Sequence, residues 1–176
     1  GVCLRWFISY LDKRKQFTNI NGVLGRENEV MYGVPQGSVL GPILFIMYIN
    51  NLCNMKIDGK IVVYADDTCL LFSGCNWEDL RQKTEYDFNK VIKWLNNKKL
   101  TLNFNKTNFI IFSINKTLPP FNEISTHSCS NTTNCNCPKI SIAKKTKYLG
   151  IILDCNLRWN FHVNNLIIKL RSIIFK

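Results

Sequence analysis

The chain has 176 residues, 46% of them apolar, and a net charge of +11. That length suits one domain with a core of its own, and the apolar share excludes a disordered chain. The positive charge is spread from Arg5 and Lys13-Arg14-Lys15 to Lys169 and Arg171, which favours a broad phosphate-tracking surface over a basic tail. Residues 39–52 are the most hydrophobic run, interrupted by Gly41 and Pro42 and short of the roughly 20 residues that span a bilayer. No charged start is followed by an apolar stretch of secretory type. An intracellular protein (nuclear, cytoplasmic or both, not secreted) with no membrane partner and with its 8 cysteines reduced is the expectation.

In chain order, Leu4, Phe7, Ile8 and Leu11 have helical spacing and predict a first helix over 2–11. Residues 17–20 and 29–32 read as the arms of a hairpin, with Asn21-Gly22 a strong turn signal between them. Their separation is too long for a two-residue hairpin. Residues 33–42 form a glycine-rich loop before an apolar helix-like run to Leu52, with Pro42 suited to the first helical turn. That helix is apolar nearly all round and is expected to be buried against a sheet.

Residues 61–63 and 69–72 read as arms of a second hairpin, with Tyr64-Ala65-Asp66-Asp67 at or near its tip. Two adjacent carboxylates repel each other, and a divalent cation is their natural partner. A solvated turn is the plain alternative, since aspartate is a common turn former. Asn76 looks like the N-cap of a helix running to about Asn97, with Leu80, Thr84, Phe88, Val91, Ile92 and Leu95 in one stripe. Strands are expected over 100–104 and 107–112, then a long surface-loop insertion over 115–138, rich in Pro, Ser, Thr and Asn. A strand resumes by Tyr148 and runs to Leu153, with Gly150 read as a bulge or a close backbone approach. A last helix from about Asn160 carries Val163, Leu166, Ile167, Leu170, Ile173 and Ile174 on one face. The fold class is α+β, an antiparallel sheet with helices packed on one face.

Residues 33–45, GVPQGSVLGPILF, followed by YADD at 64–67, resemble motifs B and C of reverse transcriptases. The spelling is similar to that of non-LTR (LINE-type, jockey-like) retrotransposons. Residues 94–107 resemble motif D, and residues 147–162 resemble the motif E region and the start of the thumb. The resemblance implies a truncated right-hand polymerase fold: a partial palm over 1–157 with motifs B to E, and the start of a thumb helix over 158–176. It implies template-directed transfer of dNTPs to a primer 3′-hydroxyl by a two-metal mechanism, with Mg²⁺ as cofactor and Mn²⁺ as an alternative. The partners so implied are an RNA template, a DNA primer from nicked target DNA, dNTPs, and the upstream and downstream parts of the same polyprotein.

By the same resemblance, Asp66 ligates the metal directly and Asp67 is a second ligand or sets the local field. Tyr64 lies beside the primer end, or simply half-buried on its strand. Pro35, Gln36, Gly37 and Ser38 shape the nucleotide pocket. Gln36 reads the nascent base pair or anchors its loop, and Ser38 orders the loop or caps the helix. Lys106 is either the general acid for the departing pyrophosphate or a solvated lysine. Tyr148, Leu149 and Gly150 resemble the primer grip, and Trp94 and Trp159 are expected in the core. Family members carry a further metal-binding aspartate in motif A, upstream of motif B. Asp12 is the only aspartate before Gly33, and its setting does not match that motif. The chain is therefore expected to be a fragment that does not polymerise alone. The rival expectation is a non-catalytic relic, a nucleic-acid-binding remnant of a decayed element. A maturase-like or telomerase-like relative is disfavoured by the spelling of motif B. His127, Cys129, Cys135 and Cys137 are of types that suit Zn²⁺, but their spacing matches no finger or ribbon, and a drifting insertion is the default.

Overall fold

A computed structural model describes residues 1–113, 117–127 and 136–175. Two units, 1–51 and 52–176, are separately compact. Among the described residues the strands form five separate two-stranded antiparallel ladders, so the mixed α+β composition stands while the strands do not join into one sheet. The ladders are two to five residues long, too short to offer a wide edge to a neighbour.

In the first unit, α1 (Val2–Leu11) forms over the expected span and closes with the Asp12 N–H on Ile8 O at 2.8 Å. It buries no residue, but Trp6 stacks on Tyr10 one turn away at 5.1 Å. The hairpin that follows is nested. An outer pair, β1 (Lys15–Gln16) with β4 (Asn28–Glu29), encloses an inner pair, β2 (Asn19–Ile20) with β3 (Val23–Leu24). Asn21 and Gly22 both have positive φ, 51° and 84°, and close the inner pair as a two-residue turn. The Asn21-Gly22 turn forms, but the arms expected over 17–20 and 29–32 do not pair with each other: residues 19–20 pair with 23–24, and residues 28–29 pair with 15–16.

The glycine-rich loop leads into α2 (Gly41–Ile49), with Pro42 in its first turn. Only Gly41 and Ile49 of this helix are buried, and Ile43, Ile46 and Met47 are exposed. The expectation that this helix is buried against a sheet is corrected accordingly. Apolar residues on every face need covering surface on every face, and these faces lack it among the described residues.

In the second unit, β5 (Lys60–Tyr64) pairs with β6 (Asp67–Leu71). The long helix α3 (Trp77–Asn97) starts at Asn76, whose side chain accepts the Asp79 N–H at 2.8 Å. Phe88 and Ile92 of α3 make the core with Ile124 and Ile140, and Leu70, Leu102, Phe104, Phe109 and Phe121 pack on it. The strands expected over 100–104 and 107–112 do not form. Asn103 O instead accepts the N–H groups of Lys106 (3.1 Å) and Thr107 (3.0 Å), winding the chain into a turn. Phe109 makes only an isolated bridge to Ile142.

The segment expected as a surface loop contributes to the core. It includes β7 (Glu123–Ser125), which pairs with β8 (Lys139–Ser141) and buries Ile124 and Thr126. α3 covers the free edge of β7. Glu85 accepts the Ser125 N–H at 2.8 Å, and Asn89 accepts the His127 N–H at 2.6 Å. The last ladder pairs β9 (Lys145–Tyr148) with β10 (Ile151–Asp154), so Leu149 and Gly150 are a two-residue turn, not a bulge. Both have positive φ, 47° and 85°. Asp154 then accepts the N–H groups of Asn156 (2.9 Å) and Arg158 (3.2 Å) before α4 (Asn160–Ile174), which buries no residue. Trp159 is exposed, against the expectation of a core position. No helix among the described residues is long and apolar enough to cross a membrane.

Candidate active site

The register of β5 and β6 pairs Tyr64 with Asp67, which leaves Ala65 and Asp66 as the two turn residues. Ala65 has φ 51°, and of the two it alone is positive. Positive φ at the first turn residue alone is the II′ pattern, ordinarily a glycine position. Alanine there costs about 1 kcal/mol. Tyr64, Asp66 and Asp67 are all exposed. Ile61, Val63 and Leu70 are half-buried, and Leu70 reaches the core, which anchors the arms while the tip projects. Neither carboxylate enters an ion pair among the described residues.

Two exposed carboxylates on adjacent residues fit a hard divalent cation, which takes one or two protein carboxylates and completes its shell with water or substrate oxygens. Among the described residues, no group of three or more His, Cys, Asp or Glu side chains gathers to hold a metal. Asp66 and Asp67 are the two adjacent carboxylates that this hairpin offers such an ion. His127 and Cys137 are described, while Cys129 and Cys135 lie outside the described residues.

Tyr148 belongs to the same unit as this hairpin. Its hydroxyl is buried and has no hydrogen-bond partner among the described residues. Burial pushes its pKa up, and the charges of Cys69 and Asp67 push in the same direction. Asp67 and Cys69 share one face of β6. Burial also raises the Cys69 thiol. Leu149 and Gly150 form the tip of their own hairpin. Lys106 is exposed, on the 103–107 turn.

The glycine-rich loop lies in the first unit. Gly33 and Gly37 have φ of 91° and 78°, values that favour glycine. Ser38 Oγ donates to Pro35 O at 2.7 Å and accepts the Gly41 N–H at 3.0 Å. A side chain at Gly41 would meet Pro35 O and Ser38 Oγ at 3.1 Å. Ser38 therefore orders the loop and ties it to the first N–H of α2, whose N-cap residue is Leu40 with no side-chain cap bond. Gln36 is exposed at the crest of that loop.

Two buried acidic residues, Asp87 and Asp154, are not singled out by the sequence pattern. Asp87 is 1% exposed, within the apolar face of α3. It accepts the Asp58 N–H at 2.7 Å and pairs with Lys90 at 2.8 Å. Its hydrogen bond to Lys90 raises that ammonium's pKa. A signal was present: Asp87 stands three residues after Thr84 and four before Val91, inside the stripe that predicts the buried face.

A net charge of +11 and an exposed carboxylate pair on a tight hairpin are chemistry that suits contact with phosphate groups and a divalent cation. The family model described as reverse transcriptase (RNA-dependent DNA polymerase) matches residues 2–153, and the chain belongs to that family. It is 30% identical over 178 residues to the probable RNA-directed DNA polymerase from transposon X-element of Drosophila melanogaster, covering 96% of this chain and 18% of that protein. It is 25% identical to the RNA-directed DNA polymerase from mobile element jockey of the same species, covering 90% of this chain and 17% of that protein. The jockey polymerase of Drosophila funebris is 28% identical, with 96% and 18% covered. The chain thus spans less than a fifth of the length of these relatives. No solved structure matches it.

Proposed function

We propose that this chain is the palm portion of an RNA-directed DNA polymerase of a non-LTR retroelement, and that the Tyr64–Asp67 turn carries its metal-binding carboxylates. The observation that carries this reading is the hairpin register, which puts Asp66 in the two-residue turn and Asp67 at the first position of β6, both exposed. Asp66 and Asp67 would hold Mg²⁺, or Mn²⁺ in its place. The metal, when bound, lowers the pKa of the primer 3′-hydroxyl and neutralises charge on the leaving pyrophosphate.

The protein's own groups do the rest. The paired arms of the hairpin, anchored through Leu70, would hold both carboxylates so that little reorganisation is needed at reaction. Tyr64, exposed beside Asp67, would pack against the primer end. Pro35, Gly37 and Ser38 would shape the nucleotide pocket floor, with the Ser38 hydrogen bonds stiffening it and exposed Gln36 turned to the base pair. Tyr148, Leu149 and Gly150 would line the primer strand, and exposed Lys106 would protonate the leaving pyrophosphate. The spread of basic residues would track template and primer phosphates. The RNA template, the DNA primer from nicked target DNA, the dNTPs and the remainder of the polyprotein are the partners. Such a reaction belongs inside the cell, in nucleus or cytoplasm.

The test is template-directed extension by this chain joined to the segment that precedes it in the full reading frame, on poly(rA)/oligo(dT) with Mg²⁺. Selective incorporation of dTTP that is lost in Asp66→Ala is expected. A folded protein that does not extend the primer, or that extends it equally with Asp66→Ala, would favour the non-catalytic relic.

A further inference from the structure

We propose that Asp87 is a positioning residue for the carboxylate hairpin: it clamps the backbone at Asp58, where the chain turns into β5, and so fixes the direction in which the tip projects. The inference rests on reading that tip as the metal site.

A carboxylate buried to 1% exposure is a costly occupant of a helix face that otherwise carries Phe88, Val91 and Ile92. An apolar residue of similar size would pack there with no desolvation penalty. Asp87 offsets that penalty with two short hydrogen bonds in different directions. Oδ1 takes the Lys90 ammonium at 2.8 Å, and that ammonium also lies 4.2 Å from the centre of the Tyr86 ring. Oδ2 takes the Asp58 N–H at 2.7 Å, across 29 residues of sequence. The first bond stays within the helix. The second ties α3 to the root of the hairpin.

That root has little freedom elsewhere. Gly59 follows Asp58, and a side chain there would come within 2.6 Å of both Leu71 O and the Phe72 ring. The backbone at Gly59 therefore runs flush against the end of β6. Gly59 fixes how the root meets β6, and Asp87 fixes how it meets α3.

The geometry amplifies any error at the root. The five residues of β5 extend the arm by roughly 17 Å at about 3.3 Å per residue. A tilt of about 5° at the root then moves the tip by about 1.5 Å. Displacements of about 1 Å can cost about 100-fold in rate.

Asn89 supplies the control. It lies on the same helix and also accepts a distant backbone N–H, that of His127, while its amide donates to Glu85 O, so its hydrogen bonds go elsewhere than the β5 root. Asn89→Ala should destabilise the protein without moving the tip.

The experiment uses the 176-residue chain, with Mn²⁺ as probe followed by electron paramagnetic resonance, and amide exchange measured by NMR. In the unaltered chain, the Asp58 amide is expected to exchange as slowly as the amides of the α3 core. Exchange as fast as that of exposed loop amides would overturn the proposal without any variant. Asp66→Ala should weaken Mn²⁺ binding by about fivefold or more, and Asp87→Ala by about threefold or more. Asp87→Asn, which keeps an acceptor for the Asp58 N–H, should stay within about twofold of the parent, as should Asn89→Ala. Amide shifts at Ala65 and Asp66 should move in Asp87→Ala and hold in Asn89→Ala. An Asp87→Ala protein that folds, binds Mn²⁺ as the parent does and leaves those shifts unmoved would overturn the clamp even where Asp66→Ala weakens binding. Unchanged Mn²⁺ binding in Asp66→Ala would instead overturn the metal-site reading, and with it Asp87's role toward the metal. The tip shifts would then report the clamp alone.

Discussion

Helices α3 and α4 carry similar apolar stripes and meet different fates. α3 buries Phe88, Val91 and Ile92, and three of its polar side chains, Glu85, Asp87 and Asn89, accept backbone N–H groups from distant segments. It begins at a side-chain cap, with Glu78 and Asp79 in its first turn, where acids complement the helix dipole. α4 has neither a side-chain cap nor a buried residue, and its stripe, including Leu166, Leu170 and Ile173, stays exposed. Periodicity therefore decides that a segment is helical, while a second surface decides whether the stripe becomes core. For α3 that surface is built by β7 and β8.

Substitutions can break this contrast. Ile92→Ala, at 1% exposure, should cost about 3 kcal/mol in urea unfolding, because it empties a site between α3, Ile124 and Ile140. A loss under about 1 kcal/mol would mean that this core is not close-packed. Asn76→Ala should cost about 1 kcal/mol by the same measurement, and Asn76→Asp should restore most of it. Leu170→Ser, at 56% exposure on α4, should shift stability by less than about 0.5 kcal/mol. A loss as large as that of Ile92→Ala would show that α4 is packed in solution.

The smallest effect concerns Lys90. Its pKa is raised by the Asp87 hydrogen bond, so the pair's contribution is complete below the unfolded lysine value of 10.5 and is lost as pH climbs through the raised value. Lys90→Met should flatten that alkaline loss in thermal melts. An unchanged alkaline limb would show that the pair contributes nothing there.

Much of the local structure was legible. α1, the Asn76 cap, the span of α3 and the start of α4 follow from periodicity and capping chemistry, which act within a few residues. The carboxylate tip was legible because a two-residue turn is also a local signal. The misreadings lie where tertiary contacts decide. Leu102 and Phe104 alternate like a strand, yet they reach the core from either side of Asn103, whose carbonyl winds the chain into a turn. Ile124 sits among polar residues that read as loop, yet it pairs with Ile140 at the centre of the core. Gly150 was expected within a strand, and the chain reverses there. Asp87 stands legibly inside the buried stripe, but its partner, the Asp58 N–H, is distant in sequence and was not legible.

The central claim is that Asp66 holds the metal for nucleotide transfer. Its most direct test is rapid-quench addition of one dTTP by the longer protein described above, with Asp66→Asn against the unaltered sequence. Asn keeps the shape of the side chain and removes its charge. The account predicts that the single-turnover rate falls by about 1,000-fold while primer–template affinity changes by less than about threefold. A rate within tenfold of the unaltered protein would contradict it.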